Sequence, residues 1–185
     1  NDIPEEDQLD LSFLSIGVEA SGTKKWKNGA VTGTVSYNNL GPYMSLAPQN
    51  YDWVKAPESA TGELSLMQKT SKTGVFKFYS NFENSRFSIS QKSMDLGGTM
   101  IDYNLANKNQ YMKASWNDKL GEKWAVNAAG SYTNSKDDIH FDQTKVAKRI
   151  EASYLKNAYS YHFSDKLSVK FGGEIFAKTF TQNVV

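Results

Sequence analysis

The tightest constraint on this chain is a two-residue rhythm. Trp124, Val126, Ala128, Gly130 and Tyr132 alternate with Ala125, Asn127, Ala129, Ser131 and Thr133. Leu167, Val169, Phe171 and Ile175 alternate in the same way with Ser168, Lys170 and Glu174. A side-chain period of two belongs to a β-strand whose two faces meet different surroundings, because successive side chains leave the backbone on opposite sides. Two environments satisfy the pattern. In a soluble sheet the apolar face covers a core; in a transmembrane barrel it meets lipid while the polar face lines a wet lumen.

Composition narrows the function classes without choosing between them. A formal net charge of +1 over 185 residues gives no electrostatic footprint for nucleic acid. The absence of cysteine excludes thiolate metal sites, thiol catalysis and disulfides. No apolar run approaches the roughly 18 residues of a membrane helix, and a mean hydropathy of −0.58 suits either a soluble domain or a barrel with a polar lumen. The stretch Asn1-Asp2-Ile3-Pro4-Glu5-Glu6-Asp7 has neither a basic nor an apolar region of a signal peptide. If the chain is an exported barrel, it is expected to be mature or part of something longer.

Taken in order, the chain reads as an antiparallel up-and-down meander of about eight long strands. Residues 10–21 form the first alternating run, with Leu14, Ile16, Val18 and Ala20 on one face. A polar turn closing on Asn28-Gly29, a strong hairpin signal, leads to a second run over residues 30–37. Residues 38–60 hold Pro42, Pro48 and Pro57 and are expected to form a long loop. Strand pattern resumes at Glu63. In residues 75–89, Phe76, Phe78 and Phe82 share one parity and Phe87 and Ile89 the other, which predicts a bulge near Glu83-Asn84-Ser85. Residues 92–109 and 134–145 read as further polar loops. Short lysine-containing turns centre near Trp26, Ser71, Lys119 and Asp165, a spacing of about 46 residues. One tight turn and one long loop per repeat give two long strands, not the four short ones of a propeller blade. Short turns on one side and long loops on the other match outer-membrane barrels, as do Trp26, Trp124 and Phe163 beside the turns, where amphipathic rings suit a membrane–water interface.

Few residues carry a chemical signal. Ser153-Tyr154-Leu155-Lys156 matches Ser-x-x-Lys, but on a strand positions three apart face opposite sides, so no catalytic role is assigned. His140 lies beside Asp137, Asp138 and Asp142 without a recognised ligand spacing. His162 reads as a rim residue, Gly97-Gly98 precedes no helix, and Glu5, Glu6 and Asp7 read as a solvated lead-in. No cofactor or metal is implied. Glu19, Lys77, Lys113, Lys156, Lys170 and Glu174 lie opposite apolar faces and are the lumen candidates. Tyr43, Tyr51, Asp52 and Trp53 are the candidate ligand contacts, on the expectation that an external loop carries recognition.

The run from Asn39-Leu40-Gly41-Pro42-Tyr43 to Tyr51-Asp52-Trp53, then Lys55-Ala56-Pro57-Glu58 and Gln68 to Tyr79, resembles the barrel of TonB-dependent outer-membrane receptors of the Bacteroidetes type. The unit from Leu120-Gly121-Glu122-Lys123-Trp124 to Ile139 resembles a turn–strand–loop unit of that family. The likeness spans roughly Leu9 to Lys178, and its motifs mark the barrel rather than a substrate. It implies a location in the bacterial outer membrane and a receptor that imports a scarce nutrient with energy passed on by TonB. Such receptors have a plug and a barrel of about 22 strands. This chain shows no plug-like region before Leu9, too few strands, and Thr181-Gln182-Asn183-Val184-Val185 in place of a terminal aromatic. Residues 1–185 are therefore expected to be an internal barrel segment. Its implied partners are outer-membrane lipid, the rest of the barrel and plug, TonB through a missing part, and a surface lipoprotein. A complete small eight-stranded outer-membrane barrel, or a soluble carbohydrate-binding β-sheet module, are the alternatives the residues leave open.

Overall fold

The computed structural model describes residues 4, 6–47, 52–92, 98–164 and 166–185. They form one antiparallel meander of nine strands, each hydrogen-bonded to its neighbours in sequence order. The strands are β1 (Gln8–Leu14), β2 (Gly17–Trp26), β3 (Gly29–Asn39), β4 (Asp52–Lys69), β5 (Val75–Lys92), β6 (Met100–Leu120), β7 (Trp124–Phe141), β8 (Thr144–Ser164) and β9 (Leu167–Val184). A single helical turn, α1 (Gly41–Leu46), lies between β3 and β4. The sheet is open: β1 and β9 are its edges and do not pair, so the described residues do not close into a small barrel.

Several boundaries differ from the sequence reading, each for a physical reason. The first run is two strands, not one. Ser15-Ile16 makes a tight hairpin, so Leu14 lies opposite Gly17 and on the other face from Val18. The long loop between the second and third predicted strands shrinks to residues 40–51. β4 absorbs Pro57 where its register against β5 slips, between Trp53 and Lys55 and again between Lys55 and Glu58. An irregular stretch is where a strand tolerates a residue that cannot donate to the ladder. Residues 134–145 are not a loop: β7 runs on to Phe141 and β8 starts at Thr144, with Asp142 in the left-handed region at φ 53°. Most of residues 92–109 likewise belongs to β5 and β6.

The bulge expected at Glu83-Asn84-Ser85 is absent. β5 pairs with β6 without a break from Val75 opposite Asn117 to Lys92 opposite Met100. Phe76, Phe78 and Phe82 therefore truly point to one face, and Phe87 and Ile89 to the other. The far halves of β5 to β8 differ from the sequence pattern for one reason: the apolar residues change sides halfway along each of these strands, so a single alternation does not run through them.

The connections at one end, residues 27–28, 70–74, 121–123 and 165–166, are all short. At the other end the β3–β4 and β5–β6 connections are longer, while β1–β2 and β7–β8 are tight. The expected asymmetry of rims is thus present only in part. The short-turn end is held by specific bonds. Asp118 accepts from the hydroxyls of Ser71 and Thr73 at 2.8 Å each, which ties the β4–β5 turn to β6. Trp26 donates to Gln68 Oε1 at 2.8 Å and Trp116 to Thr70 Oγ1 at 3.1 Å.

One layer of sheet buries little. Among the described residues only Gly29, Ala30, Gly74, Ser88, Ile101, Val126 and Ala158 are buried. The accessible surface is 12918 Å², against about 8,900 Å² expected for a compact monomer of this mass. Among the described residues, no second layer packs on either face.

The β8–β9 pairing offers a sharp test. A Cβ on Gly172 would lie 2.1 Å from the Asn157 carbonyl oxygen and 2.7 Å from the Ala158 Cα, whereas a Cβ on Gly173 meets nothing within 4 Å. Gly172→Ala is expected to cost about 1–3 kcal/mol by forcing backbone apart, and Gly173→Ala to stay within about 0.5 kcal/mol of wild type. Denaturant unfolding followed by tryptophan fluorescence distinguishes the two.

Candidate functional site

The register assigns every side chain to one of two faces, called here the Leu155 face and the Lys156 face. On the Leu155 face a continuous apolar band crosses all nine strands at the short-turn half. It includes Leu11 and Phe13 on β1, Val18 on β2, Val35 on β3 and Leu64 and Leu66 on β4. It continues with Phe76, Phe78 and Phe82 on β5, Met112 and Trp116 on β6, Val126 and Ala128 on β7, and Phe171 and Ile175 with Leu155 on β9 and β8. Many of these are strongly exposed, Phe13 at 78 % and Ile175 at 69 %. From Trp124 to Tyr132 the band covers about 27 Å along β7, from a rise of about 3.4 Å per residue.

Aromatic rings mark both borders of the band. At the short-turn border Trp124 packs on Tyr161 with centroids 4.7 Å apart, Phe171 lies 5.8 Å from Tyr159, and Phe163 meets Tyr161 edge-on at 4.6 Å. At the far border the Tyr37 hydroxyl donates to Glu58 at 3.0 Å and the Tyr132 hydroxyl to Glu151 at 3.2 Å. Both tyrosines thus set their ring beside apolar neighbours and their hydroxyl among charges.

Beyond that border the Leu155 face turns polar: Arg86 on β5, Lys108 and Asn104 on β6, Lys136, Asp138 and His140 on β7, Arg149 on β8 and Thr181 on β9. Here Glu58 accepts from Arg86, from Lys55 at 2.9 Å and from Tyr37. Hydrogen bonds from Lys55 first, then from Arg86 and Tyr37, hold its carboxyl down at about 2.

The Lys156 face runs the opposite way. Opposite the band it is polar. Ser21 meets Thr34 at 3.1 Å, Thr23 meets Thr32 at 2.9 Å and Ser36 meets Thr61 at 2.6 Å, a hydroxyl ladder across β2, β3 and β4. All six lumen candidates, Glu19, Lys77, Lys113, Lys156, Lys170 and Glu174, share this face. Lys77 and Lys113 line a cleft of about 420 Å³ with Thr32, Ser65 and Tyr79. The Tyr154 hydroxyl donates to Glu174 at 2.6 Å, with Lys156 3.9 Å from the same carboxylate. At the far half this face becomes apolar. Trp53, Phe87, Tyr103 and Phe141 form a ring ladder over β4 to β7, with centroids 6.1, 5.8 and 6.4 Å apart, beside the buried Ile101.

The candidate ligand residues are not one cluster. Trp53 joins the ladder, Asp52 pairs with Ser90 and so points to the opposite face, and Tyr43 stands exposed on α1. Tyr51 lies outside the described residues. Phe87, Tyr103 and Phe141, which complete the ladder, were missed. The parity change after Phe82 was the signal that could have found them. Ser153 and Lys156 point to opposite faces. His140 and Asp138 share the Leu155 face; Asp137 faces the other way, where its Oδ1 accepts from the Asn107 Nδ2. No group of three His, Cys, Asp or Glu converges among the described residues. Gly98 lies in the β5–β6 connection at φ 86°, and Gly97 is outside the described residues. No protein-family model, curated protein or solved structure matches the chain.

Two outcomes follow. Phe87→Ala removes the ring between Trp53 and Tyr103, and is expected to cost about 2 kcal/mol for a half-buried aromatic. Hydrogen exchange should accelerate at the far half of β4 to β7 and stay unchanged at the short-turn end. Glu58 has a folded pKa below its ordinary value of 4.5. Its contribution is therefore complete above about pH 4.5 and lost as pH falls towards 2. Glu58→Gln should flatten thermal stability across that window, measured by melting from pH 2 to 6.

Proposed function

We propose that this chain is a wall segment of a bacterial outer-membrane β-barrel belonging to a TonB-dependent nutrient-uptake receptor. The observation that carries the membrane part is the change of sides. Over the short-turn half the exposed Leu155 face is apolar and the Lys156 face polar; over the far half the assignments reverse within the same unbroken strands. A sheet with one solvent outside and one inside has no reason to switch. A barrel wall that leaves lipid for water does: its outer face changes from apolar to charged, and its inner face gains a small core where no water-filled lumen is needed.

Dimensions support the reading. The band, about 27 Å along the strand, stands about 21 Å tall at the usual strand tilt of 35–45°, close to the apolar belt of outer-membrane barrels, about 25 Å tall. Strands of 18 to 21 residues from β4 onward exceed the roughly 9–11 needed to cross a bilayer, so each continues well past the membrane. Aromatic borders on both sides match the girdles of such barrels. The receptor assignment adds the resemblance of residues 39–79 and an open sheet whose two edges leave room for more wall. On this reading the plug, TonB and a surface lipoprotein are partners, the Lys156 face lines the lumen, and the Trp53 ladder faces the external vestibule. The open edges weigh against a complete eight-stranded barrel.

The lack of native cysteine makes the test direct. Single variants Leu155→Cys and Ile175→Cys in membranes should resist a water-soluble maleimide until detergent is added. Ala147→Cys, on the same face beyond the band, should react at once. Equal reaction at all three sites in intact membranes would overturn the membrane reading. Loss of energised nutrient accumulation on deleting the chain, only in cells with working TonB, tests the receptor part.

A further inference from the structure

The same outward face carries a feature that the barrel reading leaves unexplained. Lys108 lies directly opposite Lys136, and Lys136 directly opposite Arg149, across β6, β7 and β8. Like charges placed directly opposite on one face of an antiparallel pair repel. Arg149 is met by Glu151 at 2.6 Å and by Asn134 at 3.3 Å. Neither Lys108 nor Lys136 makes an ion pair within 4 Å among the described residues, although Asp138 lies one face position farther out. All three cations are exposed. A row of this kind is self-repulsive unless an anion lies against it.

Directly below, on the same strands, runs an apolar groove of about 620 Å³. Ala114, Ala128 and Gly130 form its floor, and Trp116, Leu155 and Ile175 rise around it. Small residues open the groove because their larger neighbours have nothing to meet above them; Leu155 Cδ2 leans to 3.0 Å from where a Cβ on Gly130 would sit. Gly130 and Lys136 are six residues apart on β7, about 20 Å along the strand. At the usual tilt of 35–45° that is about 15 Å along the membrane normal, half of a hydrocarbon core about 30 Å thick.

Resting on the membrane reading above, we infer that Lys108, Lys136 and Arg149 with the groove below them form a binding site for one phosphate-bearing anionic lipid of the outer leaflet. The phosphate sits among the cations and an acyl chain lies down the groove to mid-membrane. Charge complementarity selects the head and the apolar groove selects the tail, so the occupant is a lipid and not a soluble anion. Tyr132 lies between the two parts, its hydroxyl towards Glu151 and its ring at the level where chain meets headgroup.

The test is incorporation of the intact barrel that carries this chain into vesicles of phosphatidylcholine alone or with phosphatidylglycerol, followed by gentle extraction and native mass spectrometry of retained lipid. With Glu151 and Asp138 on the same face, the three cations leave one net positive charge, so phosphatidylglycerol should be retained roughly fivefold better than phosphatidylcholine at low salt, and the preference should collapse in 1 M salt. The salt series needs no variant. Lys108→Gln with Lys136→Gln should abolish the preference, and Lys148→Gln, on the Lys156 face, should leave it intact. No incorporation into either vesicle overturns the membrane reading and this site together. Incorporation without a headgroup preference, or a preference that survives the double substitution, overturns the site alone. Loss of the preference to millimolar inorganic phosphate would show a site for free anions and overturn the lipid assignment.

Discussion

The unbroken backbone ladder between β5 and β9 governs everything else. Four successive pairings hold register over most of 18 to 21 residues, with one slip near Ser164. Once the hydrogen bonds are made, the face of every side chain is decided by whether its position is odd or even, and no later adjustment can rotate it. A sequence that places Phe82 on one side and Phe87 on the other must therefore be answering two different environments at two heights. A bulge would have reconciled both with one environment, and the ladder contains none at that point.

The consequence is a sheet organised by height as much as by face. At the short-turn half the hydroxyl ladder, the lysines and Glu174 share one side and the exposed apolar band the other. At the far half the Trp53–Phe87–Tyr103–Phe141 rings occupy the side that was polar, and charges occupy the side that was apolar. Tyr37 and Tyr132 stand on the boundary, each with a ring for one zone and a hydroxyl for the other. A surface so much larger than a compact monomer of the same mass means that most of the apolar area finds its cover outside the described residues. For the band, lipid supplies that cover in the function proposed here.

The strand pattern near Trp124 and Leu167 was legible because there the apolar side stays constant over eight or nine residues. The turn between β2 and β3 was legible from its polar residues, although Lys27-Asn28 make it and Gly29 already pairs with Trp26, neither Asn28 nor Gly29 taking a positive φ; Gly121, at a turn read from its chemistry, does adopt φ 72°. The far halves of β5 to β8 were not. Ile101, Tyr103 and Leu105, or Ile139 and Phe141, alternate as faithfully as the band does, but out of phase with it, and a reading that assumes one phase per strand registers noise. The Ser15-Ile16 hairpin escaped for a related reason: Leu14, Ile16 and Val18 keep even spacing through a turn, so periodicity alone cannot see the chain reverse. That Glu19, Lys77, Lys113, Lys156, Lys170 and Glu174 share one face was legible from parity, since they lie within the half where the apolar phase is constant. The ligand candidates did not group, because Asp52 and Trp53 are adjacent in sequence and adjacency on a strand means opposite faces.

β9 is exposed along its whole length, from Leu167 to Val184, with one row of peptide groups turned away from β8. That row is a stencil. A strand laid beside it must supply amides at the same spacing, greasy side chains level with Phe171 and Ile175, and hydrophilic ones level with Thr179 and Thr181. It must also bring something apolar to Phe176 and Phe180 on the opposite side. The last strand thus prescribes the amino-acid pattern of whatever neighbour it takes.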